Sequence, residues 1–185
     1  MPKRKPFEEN WVYHIYNRGL EKQKLFFNKY DYEKFFRNLE KFLNDFKNIK
    51  LLSYCVLPNH FHFIIQNKEE WFDLSNFMRQ IQSSYAKYLV EKYKGSFWKW
   101  QIFEWRFNSK QITSEKYFNK CLYYVNYNAI KHWIVDKIED YPYSSLFQLD
   151  PGVQQNKTTP GSVRVNFSLE NWLQEFIENF EDFEF

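Results

Sequence analysis

Two of the chain's four histidines, His60 and His62, are separated by one residue. The run from His60 to Gln66 is short and rich in aromatic and β-branched residues, which predicts a strand whose side chains alternate between two faces. Both imidazoles then project to one face, and Phe61 and Phe63 to the other. Two neutral imidazoles about 7 Å apart can hold a divalent metal ion if another element supplies a third ligand. A pair of half-exposed histidines without a metal is the alternative.

A second set of reactive groups shares one flank of a predicted helix. Ser114 is a suitable N-cap, and apolar residues recur at helical spacing from Tyr117 to Ala129. At about 100° per residue, Tyr124 and Asn128 lie one turn apart beside this buried stripe. The same flank carries Lys120 and Lys131. Two other tyrosines point away from it, Tyr123 and Tyr127. A tyrosine hydroxyl can attack phosphorus, an amide oxygen can complete a metal site, and lysines can hold phosphates. A tyrosine at the edge of the core is the alternative.

The elements that must position these groups follow from turn signals and hydrophobic periodicity. The pattern predicts strand, helix, strand, strand, helix, strand and helix in that order. The predicted segments are 11–16, 31–46, 51–57, 60–66, 74–89, a strand within 97–112, and 114–129, with turns at Asn17-Arg18-Gly19 and Pro58-Asn59. The first six elements have the split βαβ order of a ferredoxin-like (RRM-like) antiparallel sheet with helices on one face. We therefore predict an α+β fold.

Composition is typical of a folded protein. The 185 residues are about one domain's worth, and 23% of them are aromatic, enough apolar surface for a core without disulfide or metal staples. The longest apolar runs are far short of the ~20 residues of a membrane span, and the N-terminus lacks a signal-peptide core. We therefore expect a cytoplasmic protein with no membrane partner. Cys55 and Cys121 lie in apolar stretches and are expected to be buried thiols.

Charge is unevenly distributed along the chain. All 26 basic residues lie in the first 166, together with 17 of the 23 acidic residues, which leaves that part with a net charge of +9. A body this basic and aromatic suits nucleic acid, through phosphate neutralisation and base stacking. A coding bias toward Lys, Asn, Phe and Tyr would give the same composition. We predict a body over 1–149, a flexible connector over 150–166 and an acidic amphipathic C-terminal helix over 167–185. That helix either caps the core or competes with nucleic acid.

Five blocks of the sequence together resemble the IS200-like tyrosine transposases, in particular their REP-associated branch. The blocks are Tyr13-His14-Ile15-Tyr16-Asn17-Arg18-Gly19, Pro58-Asn59-His60-Phe61-His62, Trp105-Arg106-Phe107-Asn108-Ser109, Tyr124 with Asn128 and Lys131-His132, and Tyr141-Pro142-Tyr143-Ser144-Ser145. The match spans roughly residues 11–146 in consistent order. Ala129 stands where the family commonly has Pro, and Glu104 lies where a Gln-containing segment is usual. These departures bear on the DNA sequence recognised and remove no catalytic group.

The resemblance implies a fold of the HUH nuclease type and a metal-dependent endonuclease and strand transferase for single-stranded DNA. The reaction would pass through a 5′-phosphotyrosine intermediate on hairpin or repeat DNA, with Tyr124 as the nucleophile. His60, His62 and Asn128 are then the expected ligands of Mg²⁺ or Mn²⁺. The residues expected to bind DNA are Arg18, Lys22, Trp105, Arg106, Lys110, Lys120 and Lys131. The expected partner is single-stranded or hairpin DNA, the expected state is a monomer or homodimer, and the expected location is nucleoid-associated.

Two other functions are compatible with parts of the pattern. A non-catalytic RRM-like module has the same element order and stacks bases on exposed sheet aromatics, but it needs no metal and no convergence of His60, His62 and Tyr124. No RNP1-type string is present in the sequence, which disfavours this module. A zinc hydrolase would use the same two histidines with an additional His, Asp or Glu and a water site.

Overall fold

The computed structural model describes residues 7, 10–68, 72–94 and 101–146, and of residues 72 and 73 the backbone alone. These residues form strands and helices in the predicted order. The longer elements are β1 (Val12–Arg18), α1 (Lys29–Asp45), β2 (Ile49–Leu57), β3 (His60–Asn67), α2 (Phe72–Lys92), β4 (Asn108–Ile112) and α3 (Glu115–Lys131). Single 3₁₀ turns occupy Leu20–Lys22 and Ile138–Asp140. The Ser114 side chain caps α3 as predicted, because its hydroxyl oxygen accepts a hydrogen bond from the Tyr117 N–H.

The strands form one antiparallel sheet in the spatial order β2-β3-β1-β4. In the central pair, Tyr16 lies opposite His62 and Arg18 lies opposite His60. This arrangement is the ferredoxin-like sheet that the element order predicts. The predicted α+β fold class is confirmed.

The two faces of the sheet are covered by different helices. On one face α1 and α2 bury an aromatic core in which Phe35 packs against Phe61 and Phe63. On the other face α3 packs Val125 in a second cluster that includes Ile64. The helices α1 and α2 share a face, as predicted, and α3 lies across the sheet from them. Residues on α3 therefore face the strand side chains that point away from α1 and α2.

A two-residue turn at Pro58-Asn59 joins β2 to β3, as predicted. Neither residue has a positive φ, in keeping with the fixed ring of proline. The Pro58 carbonyl accepts hydrogen bonds from the N–H groups of Leu25 (2.8 Å) and Phe26 (3.0 Å), and the Asn59 carbonyl accepts one from Gly19 (2.8 Å). The start of β3 is thereby fixed against the end of β1.

The predicted turn at Asn17-Arg18-Gly19 is wrong in position. β1 continues through Arg18, and Gly19 forms a further antiparallel bridge with Phe103, so non-local pairing outweighs the local turn signal. The chain turns instead at Leu20–Lys22, where two of the residues have φ of 53° and 61°. Gly19 is required for close approach, because a Cβ there would lie 2.2 Å from the Gln23 carbonyl oxygen.

The segment 141–145 packs against the outer edge of β2. The Val56 N–H donates to the Tyr143 carbonyl (2.9 Å), and the Ser145 N–H donates to the Tyr54 carbonyl (2.9 Å). The Ser145 hydroxyl donates to Asn126 Oδ1 on α3 (2.8 Å), and Asn126 Nδ2 donates to the Ser53 hydroxyl on β2 (3.1 Å). This buried network ties α3 to the sheet, so the late aromatic-Pro-aromatic-Ser-Ser block has a structural role.

Several expectations concern residues that the structure does not describe. The predicted connector (150–166) and acidic C-terminal helix (167–185) lie outside the described residues.

Across the described ranges, none of the helices combines the length and apolar character needed to cross a bilayer. Cys55 and Cys121 are buried free thiols, as predicted.

Candidate active site

The two histidines of β3 lie on the sheet face that α3 covers, whereas Phe61 and Phe63 lie in the core on the opposite face. The alternation predicted for this strand is confirmed. The rings of His60 and His62 are 5.2 Å apart between centroids, and their planes meet at 85°. His62 is buried, while His60 is half-buried at the start of the strand.

Hydrogen bonding fixes the tautomer of His60. Its Nδ1–H donates to Asn59 Oδ1 (2.6 Å), because an amide oxygen can only accept. Burial, together with the charges of His132 and Arg18, lowers the pKa of His60 to about 4, although the Asn128 side chain pulls the pKa upward. At neutral pH the ring is therefore uncharged and carries a lone pair on Nε2.

His62 is enclosed by other rings. Its Nδ1 lies 2.9 Å from Nε2 of His14 on β1, and the ring stacks on Tyr16 at 5.5 Å. Burial holds the pKa of His62 well below its ordinary value, with a further contribution from His14. Burial and the charge of Lys110 lower the pKa of His14 to about 4. Both imidazoles of this pair are therefore uncharged at neutral pH.

Tyr124 on α3 stands beside this pair. Its ring meets the ring of His62 edge-on at 5.4 Å and 89°, and meets that of His14 at 5.9 Å. The Lys131 ammonium lies over the Tyr124 ring at 4.9 Å. Tyr124 is 37% exposed, so its hydroxyl is within reach of solvent and of a ligand. The two tyrosines predicted to point elsewhere, Tyr123 and Tyr127, stack on each other at 4.9 Å.

Asn128 lies one turn after Tyr124, and its side chain is fully buried. Its Nδ2 donates to the Tyr124 carbonyl (2.7 Å). Its Oδ1 accepts no hydrogen bond from any described residue, and such orphaned buried oxygens are rare. The Asn128 side chain also acts on the pKa of His60, which it raises. The amide is thus suited to supply an oxygen ligand beside the histidines.

A cleft of about 600 Å³ opens over these groups. His60, His62 and Tyr124 line it, and so do Arg18 at the end of β1 and Lys22 in the turn that follows. Arg18 is paired with Glu104 through Nε at 2.5 Å. The cleft therefore joins a phenol, two neutral imidazoles, the Lys22 cation and the Arg18–Glu104 ion pair, a set suited to a phosphodiester.

A second cleft of about 650 Å³ lies beside α2 and is lined by Trp105 and Arg106. It shares Glu104 with the first cleft, and Asn17 of the first cleft donates a hydrogen bond to Gln82 of the second. Trp105 is 79% exposed. Trp105 and Arg106, two of the predicted DNA-binding residues, thus lie next to the first cleft.

The remaining predicted DNA-binding residues are more dispersed. Lys131 contacts Tyr124, but exposed Lys110 on β4 and exposed Lys120 on α3 are not among the residues that line either cleft.

Sequence reasoning missed three residues of the site: His14, Asn59 and His132. Alternation along β1 places His14 on the histidine face, but its contact with His62 depends on the strand register.

A family model described as "Transposase IS200 like" matches residues 8–128. The chain belongs to the IS200-like transposase family. Its relatives in this family are tyrosine transposases, which are enzymes. A Haemophilus influenzae protein named as a REP-associated tyrosine transposase is 26% identical over 126 residues, which cover 63% of this chain and 69% of the relative.

The fold of this IS200-like transposase is also found in a solved structure. A REP-associated tyrosine transposase bound to a REP hairpin aligns with a TM-score of 0.65 at 18% identity, over 91% of this chain and 94% of that one. The region matched by the family model contains His60, His62, Tyr124 and Asn128. In the part of the transposase that the structure describes, no three His, Cys, Asp or Glu residues group into a metal site.

Proposed function

We propose that this transposase is a metal-dependent endonuclease and strand transferase for single-stranded DNA, acting through a 5′-phosphotyrosine at Tyr124. The observation that carries the proposal is the edge-on approach of Tyr124 to His62 at 5.4 Å inside a cleft with Arg18 and Lys22. A surface with a purely structural role would not require a phenol, two imidazoles and two basic side chains in one cleft.

The chain's own residues account for binding and attack. Arg18 and Lys22 attract the phosphate backbone, and Tyr124 Oη attacks the phosphorus. The phosphorus–tyrosine bond forms as the bond to the 3′ oxygen breaks; the phenol releases a proton to solvent, and the departing oxygen takes one up. Because the tyrosine ester retains the phosphodiester linkage, a 3′-hydroxyl can reverse the step without a nucleotide cofactor.

Three metal-binding groups at this site are suited to one divalent cation. They are His60 and His62, both neutral, and the orphaned Oδ1 of Asn128. A bound Mg²⁺ or Mn²⁺ would polarise the scissile phosphate as a Lewis acid. Imidazole ligands suit transition metals better than Mg²⁺, so we expect tighter binding of Mn²⁺.

The proposed substrate is single-stranded or hairpin DNA with unpaired bases next to the cleaved phosphate. Exposed Trp105 in the adjoining cleft can stack on an unpaired base, and Arg106 can hold its phosphate. The related structure with a REP hairpin supports the same class of ligand. One chain supplies the tyrosine and both histidines, so a monomer is sufficient for the proposed chemistry.

The two alternative functions agree less well with the structure. An RRM-like module uses an open sheet face for bases, but α3 covers the face that carries His14 and His62. A zinc hydrolase needs a third His, Asp or Glu ligand, and within the described ranges no three such residues are arranged so that they could hold a metal ion.

The test is covalent trapping of labelled single-stranded or hairpin DNA on the full chain in denaturing gels. Wild type should form an adduct with Mn²⁺ or Mg²⁺ and none with EDTA. Tyr124→Phe and the double variant His60→Ala/His62→Ala should form none, whereas Tyr127→Phe, which removes a hydroxyl from the same helix, should react normally. A tyrosine adduct mapped elsewhere, or full activity in the double variant, contradicts the proposal.

A further inference from the structure

The contact between His14 and His62 has no part in the mechanism proposed above. His14 is 6% exposed and His62 is 5% exposed, so both rings are largely shielded from solvent. Nε2 of His14 and Nδ1 of His62 are 2.9 Å apart, a hydrogen-bonding distance. Tyr16 stacks on the His62 ring and Tyr124 meets it edge-on, so the ring is held from several sides.

A single proton lies between two neutral imidazoles at this distance, and its position determines what His62 can do. If His14 donates, His62 accepts at Nδ1 and must carry its own proton on Nε2, where it then has no lone pair. If His62 donates from Nδ1, its Nε2 carries a lone pair. Nδ1 is engaged in both cases, so the second arrangement is the one that lets His62 bind a cation.

We propose that His14 is a positioning residue that accepts the Nδ1 proton of His62 and so keeps the Nε2 lone pair available for a divalent cation. His60 is held in the corresponding tautomer by Asn59, so both histidines would present Nε2. The inference rests on the proposed function, because it gives a purpose to the metal ligands assigned there. Partners that orient metal-binding histidines in this way commonly affect metal affinity by about 10- to 100-fold.

The first experiment measures Mn²⁺ affinity of the full chain by the electron paramagnetic resonance signal of free Mn²⁺. His14→Phe keeps an aromatic ring but removes the acceptor, so its Mn²⁺ affinity should fall by about 10- to 100-fold. His14→Gln can accept through Oε1 and should recover most of the affinity. Ile64→Val, which removes a methyl group opposite His14 on the same sheet face, is the packing control and should bind like wild type.

The second experiment reads the tautomer directly in metal-free protein. Long-range ¹H–¹⁵N spectra of the histidine rings should show His62 protonated at Nδ1 in wild type and in His14→Gln. Wild-type His62 protonated at Nε2, unchanged Mn²⁺ affinity in a folded His14→Phe, or equal loss in Ile64→Val overturns the inference. Absence of Mn²⁺ binding by wild type would instead count against the proposed function, while the tautomer of His62 still decides the role of His14.

Discussion

Tyr124 lies edge-on to His62 within a single chain, with 5.4 Å between ring centroids. The helix that carries the tyrosine is tied to the same sheet by the hydrogen bonds of Asn126 with Ser53 and Ser145. One chain therefore brings the tyrosine to the histidines, and we predict that the site acts in cis.

Mixing two inactive variants tests assembly in cis. Tyr124→Phe retains the histidines, and His60→Ala/His62→Ala retains the tyrosine, so a site shared between chains would regain activity in the mixture. We expect no covalent DNA adduct from the mixture under conditions where wild type reacts fully. Adduct formation above the sum of the two separate variants would show that tyrosine and histidines act across a dimer.

Trp105 provides a test of the second cleft. Replacing it with Ala should weaken binding of a hairpin with an unpaired flank by about 1–3 kcal/mol, the usual value of one aromatic–base stack. Trp133→Ala is the matched control, because Trp133 is 92% exposed and lines neither cleft. Fluorescence anisotropy at fixed salt measures both affinities. Equal losses for the two variants, or an equal loss on blunt duplex, would exclude base stacking at Trp105.

Asp31 provides a test of the core that supports α1. Its fully buried carboxylate accepts hydrogen bonds from Lys92, Tyr88 and Tyr93, and from the N–H groups of Phe27 and Asn28. Asp31→Asn should lower the free energy of unfolding by about 2–4 kcal/mol, because buried donors lose an ionic acceptor. Asp45→Asn removes an exposed pair with Lys41 and should cost less than about 0.5 kcal/mol in the same urea titration.

The same carboxylate predicts an acid dependence of stability. Burial alone would raise the pKa of Asp31, but hydrogen bonds from Lys92 and its other donors outweigh this and hold the pKa below its ordinary value. The stabilisation is therefore complete above the ordinary carboxyl pKa and declines as pH falls below it. Urea titrations between pH 6 and pH 3 should show a smaller loss of stability for Asp31→Asn than for wild type. Identical slopes would show that Asp31 has an unshifted pKa.

Local periodicity was enough to predict much of the site. Alternation along a strand puts His60 and His62 on one face whatever the strand pairs with, and the helical repeat puts Tyr124 and Asn128 on one flank. Both are properties of single elements. That His60, His62 and Tyr124 line one cleft depends on the position of α3 across the sheet from α1 and α2. The order of the elements alone does not predict that position.

Features that depend on strand register could not be predicted in the same way. The contact between His14 and His62 exists because Tyr16 is opposite His62 and His14 is opposite Ile64. Likewise Asn17-Arg18-Gly19 has a turn-like composition, but pairing with Phe103 keeps the chain extended there. In both cases a partner distant in sequence determines the local structure.

The attachment of residues 141–145 to β2 determines how far the chain can be shortened from its C-terminal side. The family match ends at Asn128, inside α3, but a chain shortened to that point would leave the backbone N–H of Val56 and the carbonyl of Tyr54 at β2 without their partners. It would also lose the Ser145 hydroxyl that holds Asn126. An uncovered strand edge is a template for intermolecular pairing. Expression designs and chimeras based on this scaffold should therefore retain the chain through Ser145.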